Sequence, residues 1–341
     1  MKFGIFDHMD RSHPDLGQQY SDRIELIHAY DAGGFYGYHM AEHHGTPLGL
    51  APSPSVFIAA AAQHSQRLRL GTLVYTLPQY HPLRLAEEIC MLDHLTGGRF
   101  DFGIGRGISP IELAFYGLTP DEAAERFVEC REIVLTALIS DRLTFHGKYY
   151  DFDDVPMVMT PVQKPHPPLW YGVSKPSSTQ WAAANGVNIV MNLPPDTTRA
   201  VIEAYRSAWA NAAMPPEMLP LMGVSRHVVI ADTEGEAVET ARLAYPQWRA
   251  SLLLLWEQRG IPAPFIAYPP TPEEALATGW IYAGTADSVR AQIEALVAET
   301  GITYLLCRFA FGQMPLVSAL QSVELFAGEV VPALGAVAPP S

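Results

Sequence analysis

Apolar and polar positions form alternating blocks along the chain, and the clearest of these blocks lies at residues 68–107. Residues 68–76 (LRLGTLVYT) are apolar and β-branched, which predicts a strand. A helical stripe of leucine and isoleucine covers residues 83–95, and residues 99–107 (RFDFGIGRG) predict a second strand ending in glycines. This strand–helix–strand unit predicts a parallel sheet, because parallel neighbours need such a crossover.

The same rhythm continues through most of the chain. Strands are predicted at residues 3–9, 37–42, 68–76, 99–107, 169–173, 187–191, 222–231 and 304–309. Helices are predicted at residues 19–32, 53–66, 83–95, 119–140, 177–185, 196–212, 234–259, 285–300 and 315–333. Eight alternations predict an α/β fold of the (β/α)8 TIM-barrel type. A doubly wound sheet fits less well, because no glycine fingerprint with an acidic partner marks a nucleotide-binding half.

Two stretches depart from the barrel pattern. Residues 141–168 predict a β-hairpin followed by a proline-rich connection. Residues 260–283 predict a second, irregular insertion, which is long enough to be a lid or a binding loop. We therefore expect a single barrel domain over residues 1–335 that carries these two insertions, and a C-terminal tail at residues 336–341.

Composition excludes several classes of protein. With 36 acidic and 22 basic residues among 341, the net charge of −14 disfavours nucleic acid as a partner. No segment approaches the ~20 apolar residues of a membrane span, and the N-terminus lacks the apolar core of a secretory signal. Cys90, Cys130 and Cys307 are widely spaced, which favours buried reduced thiols over disulfides or a zinc site. We expect a cytoplasmic protein.

Candidate chemistry lies where the predicted strands end, because barrel enzymes use the C-terminal ends of their strands and the loops that follow. Those segments are residues 7–8, 42–44, 74–81, 103–109, 174–178, 191–192 and 308–313. Glu42, His43 and His44 end the second strand, and a histidine there is a natural general acid or base. Alternation along a strand directs one histidine to the mouth and leaves the other as a hydrogen-bonded packing residue. No HxH or HExxH spacing indicates a metal site.

Two further segments suit a phosphate. Arg106 lies in the glycine-rich run at residues 103–107, where a guanidinium could bind a phosphate or, alternatively, a neighbouring carboxylate. Residues 174–178 begin a predicted helix, and N–H groups at a helix N-terminus form an anion site. An ordinary helix cap would explain one of the serines there. It explains less well the whole set of Ser174, Lys175, Ser177 and Ser178. Together the two segments predict a phosphate-bearing cofactor.

Five segments together resemble the luciferase-like, flavin-dependent monooxygenases, whose type member is the α subunit of bacterial luciferase. The segments are MKFGIFDHM at the start, AEHH at residues 41–44, the block at residues 71–107, SKPSSTQWAA at residues 174–183 and GITYLLCRF at residues 301–309. The resemblance implies a (β/α)8 barrel. It also implies a flavin: reduced FMN used with O2, or in one branch the deazaflavin F420.

Carried over by position, the resemblance implies roles for single residues. His43 matches a catalytic acid/base near the reactive edge of the flavin, and Leu73 with Val74 matches the place where strand three packs against the isoalloxazine, often through a non-prolyl cis peptide. Arg106 and the serine-rich segment match the site of the flavin phosphate. Gly105 stands where luciferase has a reactive cysteine, so that thiol chemistry is not expected.

The expected function is that of a two-component monooxygenase that oxygenates a small, apolar organic substrate with reduced FMN and O2. A separate NAD(P)H:flavin reductase would supply the reduced FMN, Glu42 and His43 would serve catalysis, and a homodimer would form through the helix at residues 53–66. One alternative is an F420-dependent oxidoreductase that transfers hydride. Another is a non-catalytic flavin-binding protein, which the retention of Glu42, His43 and a long insertion disfavours.

Overall fold

The structure is a computed structural model that describes residues 1–263 and 268–335. Within these ranges the strands are β1 (Lys2–Asp7), β2 (Gly37–Met40), β3 (Arg69–Thr72), β4 (Tyr75–Thr76), β5 (Phe100–Gly105), β6 (Arg142–His146), β7 (Asp151–Pro156), β8 (Leu169–Gly172), β9 (Asn188–Met191), β10 (Met222–Ile230), β11 (Ile281–Gly284) and β12 (Tyr304–Arg308). Parallel pairing runs β1–β2–β3–β5–β8–β9–β10–β12 and returns to β1. The predicted (β/α)8 TIM barrel is confirmed.

The helices surround the barrel. They are α1 (Leu16–Ala32), α2 (Pro54–Ala62), α3 (Pro82–Leu95), α4 (Pro110–Phe115), α5 (Pro120–Ile139), α6 (Thr179–Ala184), α7 (Pro195–Asn211), α8 (Glu234–Arg259), α9 (Pro272–Ala277), α10 (Ala286–Thr300), α11 (Leu316–Leu325) and α12 (Val331–Leu334). Several begin at a side-chain cap. Asp15 accepts the N–H groups of Gly17 and Gln18, and Thr119 accepts that of Glu122. Such caps pair N–H groups that have no partner inside the helix.

Large side chains fill the barrel interior. One buried cluster consists of Phe6, Ala41, Leu73, Trp170, Tyr304 and Leu306, which come from strands around the whole barrel. Below them His39 Nε2 lies 2.9 Å from the Tyr304 hydroxyl. These side chains fill the barrel interior, and in this fold the chemistry belongs to the C-terminal ends of the strands.

The third predicted strand, residues 68–76, is divided in the structure. β3 and β4 are separated by Leu73 and Val74, which are joined by a non-prolyl cis peptide, as the resemblance implied for this place. Leu73 still donates its backbone N–H to the carbonyl oxygen of Met40 at 2.7 Å. The chain therefore stays attached to β2 while it leaves the regular strand path.

The two predicted insertions differ in outcome. β6 and β7 form the expected antiparallel hairpin at one edge of the molecule. The prediction of an irregular segment at residues 260–283 is wrong in part, because α9 lies within it and β11 begins there. β11 pairs with the upper half of β10, where Ile281 lies opposite His227. Residues 264–267 of this insertion, and the predicted tail at residues 336–341, lie outside the described ranges.

The chain closes with the helical run Leu316–Leu334, formed by α11, a π-helical turn at Phe326–Val330 and α12. By length and composition alone this run would be long and apolar enough to cross a membrane, which the sequence analysis did not predict. In the fold it packs on the barrel: the Ser322 hydroxyl donates to the Ile230 carbonyl, and Phe326 is buried. Its apolar side thus has a place in the core.

Candidate active site

A histidine–carboxylate pair occupies the barrel mouth. His43 follows β2, and its Nδ1 lies 3.2 Å from Oε1 of Glu112. The second carboxylate oxygen accepts the backbone N–H of His44 at 2.8 Å. Glu112 lies in the first turn of α4, where the Ser109 hydroxyl accepts its backbone N–H. Because Glu112 has both oxygens occupied, the His43 ring is held in one orientation.

The electrostatics of this pair favour a proton on the histidine. Burial opposes the charged form of His43, but attraction and hydrogen bonding by Glu112, with a contribution from Glu42, raise the pKa of His43 above its ordinary value. Burial is again the largest single influence and opposes the Glu112 carboxylate. The charge and hydrogen bond of His43, together with the backbone N–H and charge of His44, more than offset it, so that the pKa of Glu112 is lowered. His43 can therefore hold a proton near neutral pH and release it to a neighbouring base.

Glu42, the second predicted catalytic residue, contacts other groups. Its side chain is 1% exposed, with Oε1 2.9 Å from Nε2 of His44, while Oε2 accepts the backbone N–H of Thr76 at 3.0 Å. His44 Nδ1 in turn lies 2.8 Å from the Tyr116 hydroxyl. These contacts tie the end of β2 to β4 and α4. Glu42 and His44 thus bond to each other and to neighbouring elements, whereas His43 contacts Glu112.

Glycines keep the floor beside Val74 open. A Cβ on Gly105 would lie 2.2 Å from Val74 Cγ2, so Val74 can approach β5 only because residue 105 has no side chain. On the neighbouring β8, a Cβ on Gly172 would have Val74 Cγ1 as its nearest neighbour at 3.9 Å, so there is room above that glycine. Leu73 is buried and Val74 is partly buried in the barrel cluster.

The predicted phosphate residues lie together at the mouth. β5 and β8 are adjacent, with Ile104 opposite Tyr171, so Arg106 and residues 174–178 follow neighbouring strands at the same end. Arg106 is exposed, and it forms no ion pair with a carboxylate within residues 1–263 and 268–335. Ser174, Lys175 and Ser177 are exposed and Ser178 is half-buried. A short 3₁₀ turn at Pro176–Ser178 precedes α6, in place of one helix from residue 177.

An apolar pocket adjoins the histidine–carboxylate pair. It is shallow and partly open to solvent, and His43 and Glu112 form its polar side. The rest of its wall is mainly apolar and comes from α8 and from two loops: Leu48, Ile108, Leu252, Leu255 and Trp256. A reacting molecule in this pocket would lie beside the His43 ring with little water around it.

Sequence reasoning missed two neighbours of His43. Glu112 could have been found as the fourth residue of Ser-Pro-Ile-Glu, a capping pattern that predicts α4 and places a carboxylate in its first turn. His8 lay in a candidate segment without an assigned role, and its ring stacks on His43 with 5.7 Å between centroids. No cluster of three or more His, Cys, Asp or Glu suited to a metal occurs in the described part of the chain.

The sequence profile described as luciferase-like monooxygenase matches residues 1–304, and the chain belongs to this family. A protein of Sinorhizobium fredii without an assigned function is 38% identical over 335 residues, 98% of each chain. The oxygenase component of a flavin-dependent trigonelline monooxygenase from Acinetobacter baylyi is 30% identical over 246 residues, which is 70% of this chain and 67% of the relative.

Solved structures agree with the fold. The monooxygenase RslO1 from Streptomyces bottropensis superposes with a TM-score of 0.88 at 27% identity, covering 98% of this chain and 99% of that chain. Two others share the fold at lower identity. One is the FMN complex of the 3,6-diketocamphane monooxygenase from Pseudomonas putida (TM-score 0.82, 22% identity, 100% and 99% covered). The other is an F420-dependent tetrahydromethanopterin reductase from Methanopyrus kandleri (TM-score 0.73, 20% identity, 97% and 99% covered).

Proposed function

We propose that this chain is the oxygenase component of a two-component, FMN-dependent monooxygenase that acts on a small and largely apolar organic molecule. The observation that carries the proposal is the pair of His43 and Glu112 against an apolar pocket at the mouth of a luciferase-like barrel. An imidazole held by a carboxylate against an apolar wall suits a reaction that needs a proton delivered or removed.

The residues at the mouth fit a flavin mononucleotide. Gly105 and Gly172 leave the floor around Val74 free of side chains, which a planar ring needs. At the adjoining rim Arg106 and Lys175 are exposed cations without a carboxylate partner within the described ranges, next to the hydroxyls of Ser174, Ser177 and Ser178. We assign the ring to Leu73 and Val74 and the phosphate to this rim. Reduced FMN, when bound, supplies the reaction with O2.

The protein's own groups then have separate tasks. His43 holds a proton at the pocket wall, and Glu112 fixes the orientation of its ring and stabilises its charged form. Glu42 keeps the end of β2 attached to Thr76, so that His43 stays at a fixed distance from the floor. Trp256 and the leucines of α8 exclude water from the same space. The insertion at residues 260–283 follows α8 directly, and we propose that it closes over the bound molecules.

A separate NAD(P)H:flavin reductase fits this scheme, since the proposed site takes one flavin and the sequence carries no nicotinamide fingerprint. The relative from Acinetobacter baylyi is likewise described as an oxygenase component. We further propose that the protein acts in the cytoplasm as a homodimer, with the alanine-rich α2 at the contact between subunits. Light scattering of the purified chain tests the dimer.

The function is tested by supplying purified protein with FMN, NADH and a flavin reductase and measuring O2 consumption and product formation over a substrate panel. We expect oxygen to be incorporated into an added organic molecule only when the protein is present. Release of all consumed O2 as H2O2 with every substrate would contradict the proposal.

The fold is shared with F420-dependent enzymes, so the deazaflavin is a second candidate cofactor. Hydride transfer to or from F420 would use the same barrel mouth, and the exposed Arg106 and Lys175 would suit its phosphate as well. Titration of both cofactors side by side separates the two functions. Tighter binding of F420 than of FMN would favour the oxidoreductase.

A further inference from the structure

A buried guanidinium without a carboxylate partner lies across the barrel mouth from the phosphate rim. Arg308 ends β12 and is 2% exposed. Its Nη2 donates to the Tyr268 hydroxyl at 3.2 Å, and its buried Nε has no hydrogen-bond partner within residues 1–263 and 268–335. The residues outside these ranges include no aspartate or glutamate. Burying a charge this way is costly unless an anion pairs with it.

Arg226 shows how a second buried arginine in this chain is stabilised. It is 1% exposed, but its Nη1 donates to the carbonyl oxygen of Ser225 at 2.8 Å and its Nη2 to that of Leu193 at 2.9 Å. Its Nε, like that of Arg308, is buried without a partner in the described ranges, but backbone oxygens pair with both of its Nη groups. Arg308 donates to the Tyr268 hydroxyl instead of to backbone oxygens. A ligand oxygen could replace that hydroxyl as the acceptor.

Two imidazoles lie near Arg308: His227 by strand register, and His8 through Phe6 and Trp248, whose rings neighbour both His8 and Arg308. His227 lies opposite Arg308 in the register between β10 and β12, and both of its ring nitrogens are buried without a partner in the described ranges. Burial, and then the charge of Arg308, lowers the pKa of His227 and the pKa of His8 well below the ordinary value. Both rings are therefore neutral at neutral pH, and each can donate one hydrogen bond. We call Arg308, His227 and His8 the basic cluster.

Aromatic rings frame the basic cluster and connect it to His43. The centroid of the Trp248 ring lies 4.3 Å from that of His227 and 5.4 Å from the Arg308 guanidinium carbon. Phe6 lies 4.9 Å from the same carbon. His8, between Phe6 and Trp248, stacks on His43 at 5.7 Å. A molecule reaching from Arg308 toward His43 would meet flat, apolar faces along its length.

The strand order separates this cluster from the phosphate rim. Arg106 follows β5 and Ser174 follows β8, whereas Arg308 ends β12. Between β12 and β5 lie β1, β2 and β3, and between β12 and β8 lie β10 and β9. The two sets of basic groups thus face each other across the mouth. A flavin phosphate bound at Arg106 and Ser174 would therefore not pair with the charge of Arg308.

We propose that the substrate is an organic acid, whose carboxylate binds to Arg308, His227 and His8 while its apolar part lies along Trp248 and Phe6 toward His43. This inference rests on the proposed function, since it assigns the substrate class to the same barrel mouth.

The test measures binding of matched acids and amides to the full-length protein without flavin, by isothermal titration calorimetry. The probes are benzoate with benzamide and hexanoate with hexanamide. We expect at least one acid to bind about tenfold or more tightly than its amide, and Arg308→Met to lower the affinity for that acid by at least about tenfold. Arg308→Lys, which keeps the charge, should restore part of the loss. Arg84→Met, which removes an exposed cation on α3, should leave binding unchanged.

Any of three results in the acid and amide titrations would overturn the inference: no acid of the series binds at millimolar concentration, the amides bind as tightly as the acids, or Arg308→Met binds the acid like the parent protein.

A separate measurement gives the affinities of the parent protein and of Arg308→Met for oxidised and reduced FMN. We expect Arg308→Met to change neither affinity by more than about twofold. An equal loss for FMN would show that the flavin is the anion at Arg308, and would also overturn the inference. Because acid binding is measured without flavin, it stands or fails independently of the FMN assignment.

Discussion

His43 and Glu112 are 69 residues apart in the sequence and are joined by a contact of 3.2 Å between Nδ1 and Oε1. The contact links the end of β2 to the short helix after β5, and it places an oriented imidazole at the wall of the apolar pocket. The carboxylate beside the ring favours the protonated form of His43.

We predict that His43 titrates above the ordinary histidine value and that Glu112→Gln moves its pKa below that value. The amide removes the attraction that favours the imidazolium, while the burial that opposes it remains. The measurement is an NMR titration of the His43 ring resonances. His64→Gln serves as the control: it removes the resonance of an exposed histidine distant from the mouth and should leave the pKa of His43 unchanged. An unchanged pKa of His43 in Glu112→Gln would show that Glu112 does not stabilise the protonated imidazole.

The same shift predicts a pH dependence of stability. Because the folded pKa of His43 is raised, the pair contributes stability that is fully present below the unfolded pKa of about 6.5 and is lost as the pH rises through the folded pKa. Urea unfolding of the parent protein and of His43→Gln, measured on both sides of that window, checks this. The difference between the two free energies of unfolding should shrink as the pH rises. A difference that grows with pH would have the wrong sign.

His43→Ala should leave FMN binding nearly unchanged and lower coupled product formation by roughly 10²–10⁴-fold, the usual contribution of a general acid or base. Oxygen uptake and product are measured together, with FMN affinity as the control. Coupled turnover equal to that of the parent protein in this variant would contradict a catalytic role for His43.

Arg106→Ala should weaken FMN binding by roughly ten- to a hundredfold and riboflavin binding far less, because only FMN carries the phosphate that the guanidinium would pair with. Flavin fluorescence titration gives both affinities. Lys175→Ala tests the opposite side of the same rim. Equal losses of affinity for FMN and riboflavin would contradict the assignment of the flavin phosphate to Arg106.

Gly105→Ala should destabilise the fold by about 1–3 kcal/mol, because the new methyl group would lie 2.2 Å from Val74 Cγ2 and the floor must shift. Val74→Ala in the same chain should recover much of that loss, since it removes the atom that clashes. Gly172→Ala is the matched control. Its Cβ would have Val74 Cγ1 as nearest neighbour at 3.9 Å, so the change in stability should be small. Denaturant unfolding is measured for the parent, Gly105→Ala, Val74→Ala, the double variant and Gly172→Ala. Additive effects at residues 105 and 74 would contradict the contact.

The sequence predicted the barrel because its buried parallel strands are continuous apolar runs separated by helical stripes, and this pattern needs no long-range information. β10 was foreseen from its run of apolar residues, at bounds within one residue of those observed. β11 was missed because four residues between a threonine–glycine turn and a further glycine give no period to recognise. The break at Leu73 and Val74 was foreseen only through resemblance to a family.

The sequence predicted single site residues at the ends of strands but not the contacts between them. His43 and Arg106 follow strands, and that is visible in the sequence. The pairing of His43 with Glu112 is a tertiary contact. Whether a carboxylate of residues 1–263 or 268–335 reaches Arg308 likewise depends on how distant strands and helices meet. Glu42 shows the same limit. Its neighbour in sequence is His43, but its hydrogen bonds go to His44 and Thr76.

The most direct test of the monooxygenase account is rapid mixing of the protein, loaded anaerobically with reduced FMN, against oxygenated buffer while flavin absorbance is followed. The account predicts a phase in which the spectrum matches neither reduced nor oxidised FMN and which outlasts the reoxidation of free reduced FMN. Prompt and direct reoxidation at the rate of free flavin, with binding of reduced FMN established beforehand, would contradict it.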